Sequence, residues 1–452
     1  MDTQKITRYV LLTLLLVILF ALAWWYFMLH KQTSDVASSD AARGFGEASP
    51  QASQAGSSHD NGAALVPGGA TKDETVVLGN PGLTLLGTQN QGAGQGVNIE
   101  LPRVGDWTTS SSSAPAGPKF KTPRVWHVEK MPVAGFGFVK SASTTAKLLL
   151  VERATGYVFS ADAATGELAR ISNTLVPKVY DAFVAADGAT ILRSLDIADQ
   201  PITFAATSTK TAKDGVPEPL VGAALDRNIE SLTTQPGSRT IFFTEEVNGL
   251  TAGYTAAWDG TKKKQVFSSS VGSWRLYFLS DGQLVVAQKA EDAVPGYAYK
   301  IDRAGILVPL ARAVPGLTIL PHTVSPTLVY STSDGTSLAL YSSKADGSAP
   351  VQLPVRTVAD KCVWGKGTIL YCAAPVSSPG ENYLRKWYTG ALHTQDSWWK
   401  IDAASGVGEL FLSNIPGATG ADVQNPVMDP SGGFIAFRDA RDQSLWLLRI
   451  AP

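Results

Sequence analysis

Cysteine, histidine, methionine and net charge are all scarce in this chain of 452 residues, and each scarcity excludes something. Its two cysteines, Cys362 and Cys372, are too few for a disulfide-stapled scaffold or a thiolate zinc centre. The five histidines, His30, His59, His127, His322 and His393, are scattered and form no metal-ligand spacing. A formal net charge of −1 gives no overall field to draw the chain to nucleic acid or acidic lipid. The familiar catalytic signatures are missing as well. There is no G-x-S-x-G elbow, H-E-x-x-H pair, Walker loop or EF-hand loop, and no S-x-D-x-G-x-x-W box. These absences lean away from an enzyme and from any bound metal or cofactor. No N-x-S/T sequon occurs either, which for an exported domain leans toward a bacterial origin.

What is present begins with one long apolar run. Residues Tyr9 to Leu29 carry no charge and number 21, enough to cross a hydrocarbon core of about 30 Å. Lys5 and Arg8 precede the run, and Trp24, Trp25 and Tyr26 lie near its far end, where amphipathic rings favour the interface. The expectation is a single-pass anchor at 9–29 in the plasma (inner) membrane. Residues 1–8 would be cytoplasmic and the bulk of the chain outside. The rival reading is a cleavable leader ending at Ala21-Leu22-Ala23, against which the apolar WWYFML continues. Residues 30–119 are rich in Ser, Gly, Ala and Pro and read as a low-complexity tether. Coil scaling gives such a tether a mean span of roughly 50 Å. Two less polar patches within it, 75–87 and 97–107, are candidates for short strands or for docking on the folded part.

From 120 to 452 the composition changes. In the chain as a whole glycine (42) and proline (26) are plentiful and methionine (4) is rare, and in this part Val, Thr and aromatic residues alternate in short runs, the pattern of many strands and turns. A weak repeat is visible. Turn signals recur near Ser143, Gly188, Gly237, Gly282, Pro326, Lys366 and Gly432, at steps of 45, 49, 45, 44, 40 and 66 residues. A second set of Asp/Gly turns recurs in residues 157–172, 254–269, 297–311, 338–354 and 398–413. A unit of 40–50 residues with four strands is a propeller blade. Seven first turns predict a seven-bladed β-propeller, with six or eight blades as alternatives. The final unit has only three strands, while the strand at Arg124–Lys130 is left over at the start. The economical solution closes the ring by letting that first strand complete the last blade.

The stretches SPTLVYSTSDGTSLALYSSKADGSAPVQL and DPSGGFIAFRDARDQSLWLLRI resemble the TolB-type, WD-repeat-like propeller repeat, and ADAATGEL and IDAASGVGEL resemble the second hairpin of quinoprotein-type repeats. The tryptophan expected after that hairpin is missing, so the resemblance does not extend to a bound quinone. What it implies is the fold rather than an activity, since propellers host unrelated functions.

Cys362 and Cys372 flank the Gly365-Lys366-Gly367 turn, which would place them opposite one another on paired strands. They read as a cross-strand disulfide in an oxidising compartment, or as two buried thiols. The long last step comes from an insertion in the sixth unit carrying Tyr383, Arg385, Trp387, Tyr388, His393 and Asp396, with Trp398 and Trp399 beyond. Tyr, Trp and Arg are favoured at binding hot spots, so these residues are the candidate binding site. The alternative is an insertion that packs on neighbouring blades and plugs the channel. Loops on the same face hold Glu152, Asp196, Asp199, Glu245, Glu246, Glu291, Asp292, Asp334, Asp439 and Asp442 beside Arg153, Arg193, Lys289, Arg385, Arg438 and Arg441. That is either an acidic surface or a mixed solvated rim. Lys262-Lys263-Lys264 reads as a solvated turn. The functional expectation is an envelope-anchored scaffold for a protein or peptide partner. The alternatives are a glycan-binding or glycan-processing surface propeller and a purely structural envelope component.

Overall fold

The computed structural model describes residues 122–140, 146–208, 216–279, 282–378, 380–413 and 420–450. The expected anchor (9–29) and tether (30–119) lie outside these. Among the described residues no helix is long and apolar enough to cross a membrane.

The described residues form seven four-stranded antiparallel sheets, the blades of a β-propeller. Blade 1 holds β2 (Val133–Val139), β3 (Lys147–Glu152), β4 (Val158–Asp162) and β5 (Leu168–Arg170). Blade 2 holds β6 (Val179–Val184), β7 (Thr190–Leu195), β8 (Pro201–Ser208) and β9 (Leu220–Ala224). Blade 3 holds β10 (Ile229–Thr234), β11 (Thr240–Val247), β12 (Leu250–Ala257) and β13 (Lys264–Ser269). Blade 4 holds β14 (Trp274–Phe278), β15 (Leu284–Gln288), β16 (Pro295–Ile301) and β17 (Leu307–Pro315). Blade 5 holds β18 (Thr318–Pro321), β19 (Thr327–Ser333), β20 (Leu338–Lys344) and β21 (Val351–Gln352). Blade 6 holds β22 (Cys362–Trp364), β23 (Ile369–Pro375), β24 (Asp396–Asp402) and β25 (Val407–Leu412). Blade 7 holds β26 (Val423–Met428), β27 (Phe434–Asp439) and β28 (Leu445–Arg449), and its fourth strand is β1 (Val125–Glu129).

The ring closes as the repeat arithmetic required. Val125 sits opposite Leu448 and His127 opposite Trp446, so the first strand completes the last blade. Six of the seven turn positions are described, and each separates the first and second strands of its blade; Ser143 lies outside the described residues. Gly188 and Gly432 hold φ of 89° and 76° there, a region that glycine enters without steric cost.

In blades 2, 3, 6 and 7 the second strand is the most buried. Along β27 the period-two alternation sends Ile435 and Phe437 into a cluster with Tyr371, Ala373 and Trp398 of blade 6. Phe434 and Ala436 join Phe138, Leu148 and Leu150 of blade 1. A strand buried on both faces reads as a continuous apolar run, FIAF, rather than as an alternating one. Each buried Ile or Phe of the run contributes about 1.5–3 kcal/mol by leaving water.

The first strands of blades 1, 2 and 3 bulge at matching places, after Val133, Val179 and Ile229. Two arginines answer these irregularities. Arg193 of β7 donates to the carbonyls of Ile229 and Glu230 in the next blade, at 2.7 and 3.3 Å. Arg438 of β27 donates to Val133 and Ala134 in blade 1. Both arginines are almost fully buried (2% and 3% exposed), so they staple blades together rather than line a loop surface as expected from sequence. Lys263 likewise departs from expectation. It lies over the Tyr254 ring and pairs with Asp226 and Glu245 at 2.6 and 2.7 Å, and is not a free solvated turn residue.

Candidate functional site

Because strands alternate in direction, the connections after the second and fourth strands of every blade emerge on one face. The insertion after β23, residues 376–395, is on that face, at the mouth of the channel lined by the first strands. It contains one short helix, α1 (Tyr383–Tyr388). Asn382 precedes α1 with φ 53°, and its amide donates to the Gly335 carbonyl. The Arg385 amide donates to Asp292 at 3.0 Å, and its guanidinium pairs with Glu291. The apolar side of α1, formed by Tyr383, Leu384 and Trp387, packs on Leu338 and Val358.

Two polar clusters hold this insertion down. In the first, Lys361 Nζ lies 2.6 Å from Thr394 Oγ1, 2.7 Å from Asp396 Oδ2 and 2.7 Å from Asp422 Oδ1. None of the Lys361, Asp396 and Asp422 side chains is exposed. Trp387 Nε1 donates to Asp422 Oδ1 at 2.8 Å, and His393 Nδ1 is 3.0 Å from Asp422 Oδ2. The Val423 amide donates to Asp396. Burial opposes a charge on Lys361, but Asp396 and Asp422 outweigh it and hold the ammonium well above its ordinary pKa. Burial pushes Asp396 up despite Lys361. For Asp422 the same burial is overcome by Lys361 and by hydrogen bonds from Lys361, Trp387 and His393, and its pKa falls below the ordinary value.

In the second cluster, Arg275 of β14 grips Asp360 through both oxygens, at 3.2 and 2.5 Å. The Tyr388 hydroxyl donates to Asp360 at 2.5 Å, and Arg275 donates to the same hydroxyl at 3.1 Å. Burial raises the Tyr388 phenol well above its usual pKa, and pushes Tyr277 beside it up to about 12. These bonds link the first strand of blade 4 to the turn that leads into the first strand of blade 6. With Asp422 ahead of β26, the insertion is fastened from blade 4 to blade 7.

The six residues expected to form a binding surface therefore separate. Tyr383, Trp387 and Asp396 are buried, Tyr388 is half-buried, and Arg385 and His393 are exposed, Arg385 pairing with Glu291 and His393 with Asp422. They fasten the insertion, and the exposed aromatic surface expected from sequence is not formed. Lys361, Asp422, Arg275 and Asp360 were missed because the first strands of three different blades bring them together. The only local signal was the adjacent Asp360-Lys361 before a strand. Cys362 sits opposite Cys372, and a disulfide joins them directly behind Lys361. Among the carboxylates of this face, Asp196, Asp199, Glu245, Glu291 and Asp439 are each within 4 Å of a basic group, so the rim is mixed in charge. No group of three His, Cys, Asp or Glu side chains among the described residues is placed to hold a metal ion.

The rest of this face differs. Exposed aliphatic side chains mark its loops: Met131 leading into blade 1, Leu175 and Ile197 at blade 2, Val247 and Leu250 at blade 3, and Val271 and Val294 at blade 4. Val247 and Leu250 flank a two-residue hairpin, Asn248-Gly249, in which both residues have positive φ. Beyond that arc, Val376 of blade 6 is the one further exposed large aliphatic on this face among the described residues.

No protein-family model and no curated protein matches the chain. Solved structures do resemble it. Virginiamycin B lyase from Staphylococcus aureus is 13% identical with a TM-score of 0.46, the match covering 72% of this chain and 99% of that one. YCF48 bound to D1 peptide is 10% identical with a TM-score of 0.46, covering 74% and 99%. TolB from Acinetobacter baumannii is 10% identical with a TM-score of 0.31, covering 66% and 60%. Likenesses this distant go with the propeller architecture, which the seven closed sheets establish on their own, and say nothing about activity.

Proposed function

We propose that this chain is a tethered, extracytoplasmic scaffold whose propeller binds a protein partner on the arc of blades 1 to 4 beside the insertion. The observation that carries this reading is the set of seven exposed aliphatic side chains on the loops of that arc. A partner that covered these side chains together would bury apolar surface that is otherwise left in water. The rigid insertion next to it would form a wall against which a partner registers.

The glycan alternative called for exposed aromatic rings on the insertion; Tyr383 and Trp387 are buried.

Two measurements test the proposal. Photo-cross-linking from position 250 in the full chain in native membranes should give a discrete adduct that Ile197→Asp abolishes, whereas position 324 on the opposite face should give none. Equal labelling from 250 and 324 would sink the interaction reading. For the tether, protease added to intact spheroplasts should digest the propeller; full protection would overturn the extracytoplasmic placement.

A further inference from the structure

Where blade 3 meets blade 4, the outermost strand contributes a large side chain. Phe267 of β13 is buried there and packs edge-on against Phe242, their ring centres 6.2 Å apart. Where blade 2 meets blade 3, the outer strands β8 and β9 bring small side chains instead, among them Ala205, Ala206 and Ala223, and a cavity of about 320 Å3 remains. That volume falls within the range of small-ligand sites. Trp258 forms part of the wall and is buried. Its Nε1 donates to the Thr190 carbonyl at 3.2 Å, which fixes the indole and leaves its apolar surface to the cavity.

The same cavity is lined by two exposed charges of opposite sign, Arg239 and Asp259. Arg239 meets Asp187 through Nε alone, at 2.5 Å, so its two terminal amines have no partner among the described residues. Asp259 accepts the Thr261 amide and hydroxyl on Oδ1, at 3.0 and 2.6 Å, and its Oδ2 accepts nothing among the described residues. The two charges make no ion pair with each other. Single exposed charges are ordinary. These two share one apolar cavity, and each keeps its outer atoms unused. A guanidinium with free terminal amines suits a carboxylate, and a free carboxylate oxygen suits an ammonium.

We propose that this cavity binds a free amino acid with an apolar side chain. The carboxylate is held by Arg239, the ammonium by Asp259, and the side chain enters the cavity against Trp258. The turns that supply Arg239 and Asp259 lie on the face opposite the partner-binding arc, and neither reading depends on the other.

Titration calorimetry on the purified full chain tests it, with L-phenylalanine as the probe. Saturable binding with a dissociation constant below about 1 mM is expected. Hydrocinnamate, which lacks the ammonium, and phenethylamine, which lacks the carboxylate, should each bind about tenfold or more weakly. Arg239→Ala should weaken phenylalanine about tenfold or more and leave phenethylamine unaffected; Asp259→Asn should weaken phenylalanine similarly and leave hydrocinnamate unaffected. Both positions are exposed, so the melting temperature should hold and report an intact fold. Ala223→Phe, opposite Ala205 on the same sheet face, should fill the cavity and abolish binding. No saturable heat up to about 10 mM overturns the proposal. Equal affinity for phenylalanine and hydrocinnamate, or phenylalanine binding untouched by both charge variants, overturns it equally.

Discussion

The two halves of one propeller face are built on the same sheets and finished in opposite ways. Over blades 5 to 7 an insertion packs at the channel mouth, held by an enclosed lysine, two aspartates and an arginine–aspartate–tyrosine cluster. Over blades 1 to 4 the loops are short and end in bare aliphatic side chains. The comparison teaches that conspicuous side chains need not mark the binding surface. The tryptophan and tyrosines of the insertion carry out structural work, and the modest valines, leucines and isoleucine of the other half are left for a partner.

If that division is right, substitutions on the two sides should separate stability from binding. The largest effect is expected from Lys361→Ala. Removing the ammonium leaves Asp396 and Asp422 enclosed without their partner, a change that costs about 3–5 kcal/mol. Chemical denaturation of the propeller should report it, and a loss below about 1 kcal/mol would mean that water or rearrangement relieves the pair. Trp387→Ala, which removes a buried ring and a donor to Asp422, should cost about 3 kcal/mol or more and speed proteolysis within 376–395. Cys372→Ala opens a loop with a sequence separation of 10 and should cost about 2–3 kcal/mol. At the small end, Ile197→Asp and Leu250→Asp should change stability by no more than about 0.5 kcal/mol while abolishing partner cross-linking. A large loss of stability from either would erase the distinction between the halves.

Acid should sharpen the comparison. The Asp422 pKa lies below the ordinary 3.8, so its contribution is complete above that value and is lost as pH falls through its folded pKa. Asp396 is displaced upward, so its contribution has the opposite sign: its burial penalty is relieved as pH falls from its folded pKa toward 3.8. Asp422→Asn should therefore flatten the stability loss below about pH 4, whereas Asp396→Asn should remove the opposing gain. Melting curves between pH 3 and 6 distinguish the two, and identical profiles for both variants would show that the aspartates titrate as one unit.

Much of this architecture was readable before any coordinates. The seven turns, the Asp/Gly hairpins and the orphan first strand depend on local chemistry. Turn residues must adopt particular φ values, and strand residues must alternate or run apolar according to how many faces they bury. Position 188 is a glycine for a reason confined to its own turn. The insertion was located correctly for the same reason, as an interruption of a regular spacing. Its residues were harder to interpret. Tyr383, Trp387 and Asp396 have the same composition whether they face solvent or a neighbouring blade.

What the amino-acid sequence determined by itself was thus the blade, its number and its closure, because each follows from contacts between residues close in the chain or from a count of strands. The tertiary structure alone decided which polar groups meet. Arg275 reaches Asp360 across 85 positions, Lys361 reaches Asp422 across 61, and Arg438 finds the backbone of blade 1 across 305. Those pairings exist because the ring bends distant strands to one axis, where burial turns ordinary charges into fasteners and leaves the opposite arc uncovered.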